Sequence, residues 1–268
     1  MTRFASLGSG SRGNGTLIEL GDTRLLVDCG FTLKQAEERL RRLDVRPGDL
    51  TAMLVTHEHA DHIGGVAALA HRYCIPVHAS WGTLRAAAGR LIGTAFDSHA
   101  SFRIGDIEVT PVIVPHDARE PTQFIFSHGA VRLGVVSDLG HATPFVIEQF
   151  TGLSGLLLES NYDSEMLWRG RYPEMIKRRI DSPLGHLSNA QSAGLLAAIA
   201  HPDLDVVIGH VSEQNNHPDL LAETFESLRA RVAQLKFATQ DEGIHWIDVN
   251  SAGKPPALFP EYAAPAAG

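Results

Sequence analysis

The sequence predicts a four-layer α/β sandwich, with two mixed sheets packed face to face and helices on both outer surfaces. Two observations lead there. Strand hairpins recur in both halves of the chain with helices set among them, a pattern that layered α/β packing satisfies. Ligand-type polar residues stand just past several apolar strands, where α/β proteins place their sites. No internal repeat is visible. The 268 residues are 44% hydrophobic, enough to bury one large core, and residues 1–250 are expected to form a single domain. The Ala- and Pro-rich stretch 251–268 reads as a loosely held tail.

Taken in order, Phe4–Leu7, Thr16–Leu20 and Thr23–Val27 read as strands, the last two joined by a Gly21-Asp22 turn. Thr32–Leu43 is a helix with Thr32 as its N-cap. Thr51–Thr56 is a short branched run suited to a buried strand, and Ile63–Tyr73 reads as a helix. Gly64 and Gly65 are poor helix formers; close backbone approach to a metal site or substrate is one reason for them, tight packing the other. Ile75–Ala79 is a strand. Ile104–Val114 forms a hairpin about Gly105-Asp106, and Gln123–Ser127 pairs with Val131–Ser137 across His128-Gly129. Pro144 opens a helix to Phe150. Leu156–Glu159 is a buried strand and Pro173–Ile180 a helix. Ser188-Asn-Ala-Gln191 is a capping box opening an apolar helix to about Ala200. Val206–Ile208 is a strand and Pro218–Leu235 a helix. Strands near Lys236–Thr239 and Ile244–Val249 close the fold.

The chemistry is concentrated in Thr56-His-Glu-His-Ala-Asp-His62, where three histidines and an aspartate fall within six positions. Imidazole and carboxylate are the donors that borderline divalent metals prefer. If the segment is extended, His57, His59 and Asp61 point one way and His62 another, so one segment could serve two adjacent metals. Further ligand-type residues follow apolar runs: His116, Asp138 and His210. Asp138 has two oxygens with which to bridge. Asp28 ends another strand and is placed to orient a ligating histidine. Between the first two strands, Gly8–Gly15 offers backbone N–H groups, hydroxyls and Arg12, which suits an anion cradle. It is not a P-loop, because no Gly-Lys-Ser/Thr follows.

Composition removes several classes. No apolar run is long enough to span a bilayer, and the N-terminus lacks the apolar segment of a signal peptide. Two cysteines, Cys29 and Cys74, are too few for a disulfide framework and read as small buried thiols; a cytoplasmic protein is expected. The net charge of −8 weighs against a nucleic-acid binder, but two divalent ions would bring it to −4 where phosphate would sit. Arg169, Arg171, Lys177, Arg178 and Arg179 form a local basic stretch.

The pattern His57-x-His59-x-Asp61-His62, followed by His116, Asp138 and His210, resembles the metallo-β-lactamase fold superfamily. That resemblance implies an αββα sandwich and a dinuclear site: His57, His59 and His116 on one metal, Asp61, His62 and His210 on the other, Asp138 bridging. Ser6-Leu-Gly-Ser-Gly-Ser-Arg-Gly-Asn14, Leu26-Val-Asp-Cys-Gly30, Ser137-Asp-Leu-Gly140, Lys177-Arg-Arg-Ile180, Gly185-His-Leu-Ser-Asn189 and Gly209-His-Val-Ser-Glu-Gln-Asn-Asn216 are similar to the YycJ (WalJ) family, bacterial relatives of ribonuclease Z. This implies a 5′-to-3′ DNA exonuclease linked to mismatch repair, using two zinc or manganese ions and acting on DNA with a 5′ end. It also implies that His186 acts near the scissile phosphate, donating a proton or stabilising phosphate charge; Asp61 or Asp138 is expected to hold the nucleophile. From its place just before a helix, His186 is expected to stay neutral. Ser9, Ser11, Arg12, Asn14, Arg178, Arg179, Ser188 and Asn215 are the expected substrate contacts; where the family has serine after Ser11, this chain has Arg12. The rival readings are a small-molecule hydrolase (thioesterase, lactonase or cyclic phosphodiesterase), an RNA-processing nuclease, and a non-catalytic binding module.

Overall fold

The computed structural model describes residues 1–249; the expected tail lies outside the described residues. The first sheet is built from β1 (Thr2–Gly8), β2 (Gly15–Leu20), β3 (Thr23–Val27), β4 (Ala52–Val55), β5 (Val77–Ser80) and β6 (Thr94–Phe96). The second contains β7 (Phe102–Ile104), β8 (Ile107–Ile113), β9 (Thr122–His128), β10 (Val131–Val136), β11 (Gly155–Glu159), β12 (Asp205–Gly209) and β13 (Gln234–Phe237). The chain then returns, and β14 (Ile244–Asp248) joins the first sheet beside β1. The strand orders are β14-β1-β2-β3-β4-β5-β6 and β13-β12-β11-β10-β9-β8-β7. Both sheets are mixed, with antiparallel hairpins on one side and parallel strands on the other.

The helices are α1 (Leu33–Arg42), α2 (Ala60–Ile63), α3 (Val66–Tyr73), α4 (Trp81–Ala86), α5 (Pro144–Gln149), α6 (Ser164–Arg169), α7 (Glu174–Ile180), α8 (Asn189–Ile199) and α9 (Pro218–Phe225). Three apolar layers hold the sandwich. Phe4, Ile18 and Leu25 meet Phe124, Phe126, Leu133 and Val207 between the sheets. Leu40 and Leu69 from α1 and α3 cover Met53 outside the first sheet, and Leu196 and Phe225 from α8 and α9 cover Leu156 and Val206 outside the second. Each fully buried side chain of this size contributes about 1.5–3 kcal/mol of burial. Thr32 caps α1 and a capping box opens α8 at Ser188, as expected; Thr32 and Gln35 also form a capping box.

Three departures from the sequence reading have local causes. The helix expected over Ile63–Tyr73 is two helices, broken at Gly64-Gly65. A Cβ on Gly65 would lie 1.7 Å from the Phe31 carbonyl oxygen, so tight packing against the 29–31 loop accounts for that glycine. The helix expected over Pro218–Leu235 ends at Phe225 and passes into a 3₁₀ turn, Glu226–Arg231. Val232 is then extended, and Leu235 enters β13 in parallel register with β12. Cys74 is exposed, holding the left-handed C-cap of α3, while Cys29 is buried.

Topology gathers the site. β3 and β4 run parallel, so Asp28 and His57 emerge at one edge. β10, β11 and β12 also run parallel, which brings Asp138, Glu159 and His210 together. Two successive antiparallel pairings turn β8 into the direction of β10 and deliver His116 to the same edge.

Candidate metal centre

Past β4 the chain bends at Thr56 and Glu58, and His59, itself in extended backbone, is the N-cap of α2. Asp61 and His62 therefore sit on a helical turn, and the expected extended alternation does not run through the segment. An aspartate in a first turn suits the positive end of the helix. The turn is locked by backbone bonds: Cys29 N–H donates to the His62 carbonyl at 2.8 Å, Asn14 N–H to Asp61 at 2.8 Å, and Gly65 N–H to Cys29 at 2.7 Å.

Three groups of potential ligand atoms result, each within 4.8 Å: His57, His59, His116 and Asp138; Asp61, His62 and His210; and Asp138, Glu159, His186 and His210. Asp138 stands between the first two. Its Oδ2 lies 3.1 Å from His57 Nε2, 3.2 Å from His62 Nε2 and 3.4 Å from His116 Nε2. Asp61 Oδ2 lies 3.5 Å from both His62 Nε2 and His210 Nε2.

Four rings are tied at Nδ1, which turns Nε2 inward. The network assigns His57 Nδ1–H to Thr56 Oγ1 at 2.9 Å, and Thr56 passes its own proton to Asp28 Oδ2 at 2.7 Å. His62 Nδ1–H donates to the same Asp28 oxygen at 2.8 Å. His116 Nδ1–H donates to the Gly185 carbonyl at 2.9 Å, and His210 Nδ1–H to Glu159 Oε1 at 2.9 Å. Asp28 and His210 both hold left-handed backbone, at φ 60° and 49°. Strain of that kind costs about 1–3 kcal/mol and marks sites where geometry is over-determined.

The donor set fits divalent ions. His57 Nε2, His210 Nε2 and Asp138 Oδ1 are buried without a hydrogen-bond partner. Asp138 Oδ1 does approach His210 Nδ1 at 2.6 Å, but without hydrogen-bond geometry. Orphaned polar atoms are costly in a protein interior, and coordination would satisfy them. Charge points the same way. Burial pushes His57 and His116 down and keeps them neutral, as ligands must be. Burial also opposes charge on His62 and His210, but Asp138 and Asp61 outweigh it and hold both well above the ordinary histidine range. Burial opposes charge on Asp138 in turn, and His210 and His62 overcome it. Protons on two histidines thus supply positive charge that a divalent cation can replace.

Glu159 is the member that sequence reasoning missed. It is fully buried at the end of β11. Its Oε1 accepts from His186 Nδ1 at 2.6 Å and from His210 Nδ1. Its Oε2 accepts from Leu139 N–H at 2.8 Å and from Leu187 N–H at 3.2 Å. With four donors engaged it supports two histidines and has little left for a metal. The available signal was the one used for Asp28 and Asp138, a carboxylate ending an apolar strand. His186 departs from its expected neutral state: burial opposes its charge, but the adjacent Glu159 raises it above the ordinary value.

The expected substrate contacts divide. Ser11, Arg179, Asn215 and His186 line a cleft of about 390 Å³ together with Asp61 and Asp138. Ser9 Oγ instead accepts from His210 N–H at 2.6 Å, and Ser188 caps α8. Asn14 is buried, accepting from Gly10 N–H at 2.9 Å and reaching Asp61 Oδ2 at 3.4 Å. These three side chains build the site and are not exposed to a substrate. Arg178 pairs with Glu174 and lies outside the cleft lining. The anion cradle does not form. Gly10 N–H goes to Asn14, Gly13 N–H to Gly10, Asn14 N–H to Asp61 and Arg12 N–H to Gln240. The Arg12 side chain pairs with Glu213 and Asp241. Asp117, which was not singled out, lines the cleft and pairs with Arg179. His141 is exposed and bonds the Pro183 carbonyl at 2.9 Å.

Residues 8–149 match the Metallo-beta-lactamase superfamily. The chain is 35% identical over 224 residues to Exodeoxyribonuclease YycJ of Bacillus anthracis, covering 81% of this chain and 85% of that protein. It is 32% identical over 227 residues to Exodeoxyribonuclease WalJ of Streptococcus pneumoniae, covering 81% and 84%. The metallo-beta-lactamase fold protein YhfI from Bacillus subtilis superposes with a TM-score of 0.69 at 15% identity, over 90% of this chain and 98% of that one, which is a likeness of fold.

Proposed function

The chain belongs to the metallo-beta-lactamase superfamily and, within it, to the YycJ/WalJ family of metal-dependent hydrolases, and from that premise we propose that it is a dinuclear phosphodiesterase acting as a 5′-to-3′ DNA exonuclease. The observation that carries the reading is Asp138, buried between two sets of ligand-type side chains and touching histidines from both.

In this reading His57, His59 and His116 would hold one ion and Asp61, His62 and His210 the other, with Asp138 available to both. Divalent ions, zinc or manganese, would supply activated water near neutral pH and charge to match the phosphoryl oxygens. Asp28 fixes His57 and His62 in the tautomer that presents Nε2. Asp61, on the cleft side, and Asp138 accept the hydrogen bonds that aim the attacking water at phosphorus. His186, held at Nδ1 by Glu159, gives its Nε2 proton to the departing oxygen, and its raised pKa keeps that proton available. Arg179 faces phosphate from α7. Mismatch repair in the cytoplasm is the setting we propose for this chain. Among the described residues no helix is long and apolar enough to cross a membrane.

A small-molecule hydrolase on the same residues is favoured by the net charge of −8. Incubation with 5′- and 3′-labelled duplex DNA, RNA and a small phosphodiester, with zinc or manganese, separates the readings. Release from the 5′ end of DNA, absent in Asp138→Ala, is the expected result. Turnover of the small ester alone overturns the nuclease reading.

A further inference from the structure

The segment between β11 and α8 carries side chains that the hydrolytic chemistry does not use. Most of the cleft lining is polar, yet Tyr172, Ile176 and Ile180 place one aromatic and two branched apolar side chains along one wall. All three are only partly buried, although nothing in hydrolysis of a phosphodiester calls for an apolar wall. A second cleft of about 820 Å³ adjoins the first, the two sharing Asn215, and Arg169, Gly170 and Arg171 line it. The arginines nearby are paired: Arg169 with Glu165, Arg178 with Glu174, Arg179 with Asp117. Arg171 alone among them makes no ion pair among the described residues, and it is the residue before Tyr172.

We propose that Tyr172, backed by Ile176 and Ile180, is a nucleobase subsite, and that Arg171 and the adjoining cleft take the phosphate backbone of the same single strand as it leads away from the metal centre. The inference rests on the nuclease reading and names what that site recognises: an unpaired strand, gripped by one base face and one phosphate. Stacking suits the position because every base has a π-face, so the subsite is tolerant of sequence. An unpaired guanidinium beside it adds the salt-sensitive contact that backbone binding requires. A small ester or lactone has no continuing strand to fill both this wall and the adjoining cleft.

The test uses the metal-loaded full chain and single-stranded DNA carrying one abasic residue at the first, second or third position from the 5′ end, with bis(p-nitrophenyl) phosphate as a strand-free reference. For the wild type, one abasic position lowers kcat/KM at least about fivefold. In Tyr172→Ala the intact strand loses a similar factor relative to the reference diester, and the abasic penalty disappears. Tyr172→Phe keeps both values. Arg171→Ala flattens the dependence of strand KM on salt. Strand cleavage indifferent to all three abasic positions overturns the subsite and leaves the nuclease reading standing. Failure of the wild type to cut any strand while it turns over the diester overturns both.

Discussion

The two halves of the metal centre are built on the same plan and finished differently. In each, a carboxylate at the end of a strand holds two histidines: Asp28 holds His62 directly and His57 through Thr56, and Glu159 holds His210 and His186. On the Asp28 side both rings are fully buried and both face the metal position. On the Glu159 side His210 is buried, but the His186 side chain keeps 20% of its surface and lines the cleft. On the proposed function the same device would serve ligands alone in one half, and one ligand plus one proton donor in the other.

Four substitutions sharpen that contrast. The largest effect belongs to the residue common to both halves. Asp138→Ala removes the contact between the two ligand sets, and DNA hydrolysis falls to background while metal content drops below that of the wild type; labelled-DNA assays and elemental analysis read both. Next, Asp28→Asn loosens His57 and His62 together, and a change of this kind costs about 10–100-fold in metal affinity; competition with a chelator measures it. Glu159→Gln separates the halves: it loosens one ligand, His210, where Asp28→Asn loosens two, so metal affinity falls less, while kcat falls by about 10²–10⁴ because His186 loses the carboxylate that keeps it protonated. Equal loss of metal in the Asp28 and Glu159 variants would break the contrast. The smallest effect is expected at Arg12→Ala. Its ion pairs with Glu213 and Asp241 are exposed, so thermal melts shift by under about 1 kcal/mol and strand affinity is unchanged.

Chelation adds a stability test. An ion at 1,000 times its dissociation constant stabilises the fold by about 4 kcal/mol. Stripping the ions is therefore expected to lower the melting temperature, and re-addition to restore it.

The Asp28 half was legible in the sequence because its residues crowd into Thr56–His62 and metal ligation needs particular side chains at short spacing. The four-layer order followed from hairpins and helices whose ends carry local signals, such as the Thr32 and Ser188 caps. Glu159 was harder to see. It is one glutamate ending one strand, and its partners His186 and His210 lie 27 and 51 positions away. The glycine loop misled for the same reason. Its apparent anion cradle is filled by Gln240 and Asp61, contacts fixed by the return of β14 and the packing of α2. Asp61 itself was placed on an extended segment, because nothing in the six residues signals that α2 starts at Ala60.

Elemental analysis of the full chain, after exchange into metal-free buffer from zinc or manganese, tests the central claim most directly. Two ions per chain, falling to one or none in Asp138→Ala, is the predicted result. A wild type that retains fewer than two, or an Asp138→Ala variant that still retains two, would contradict it.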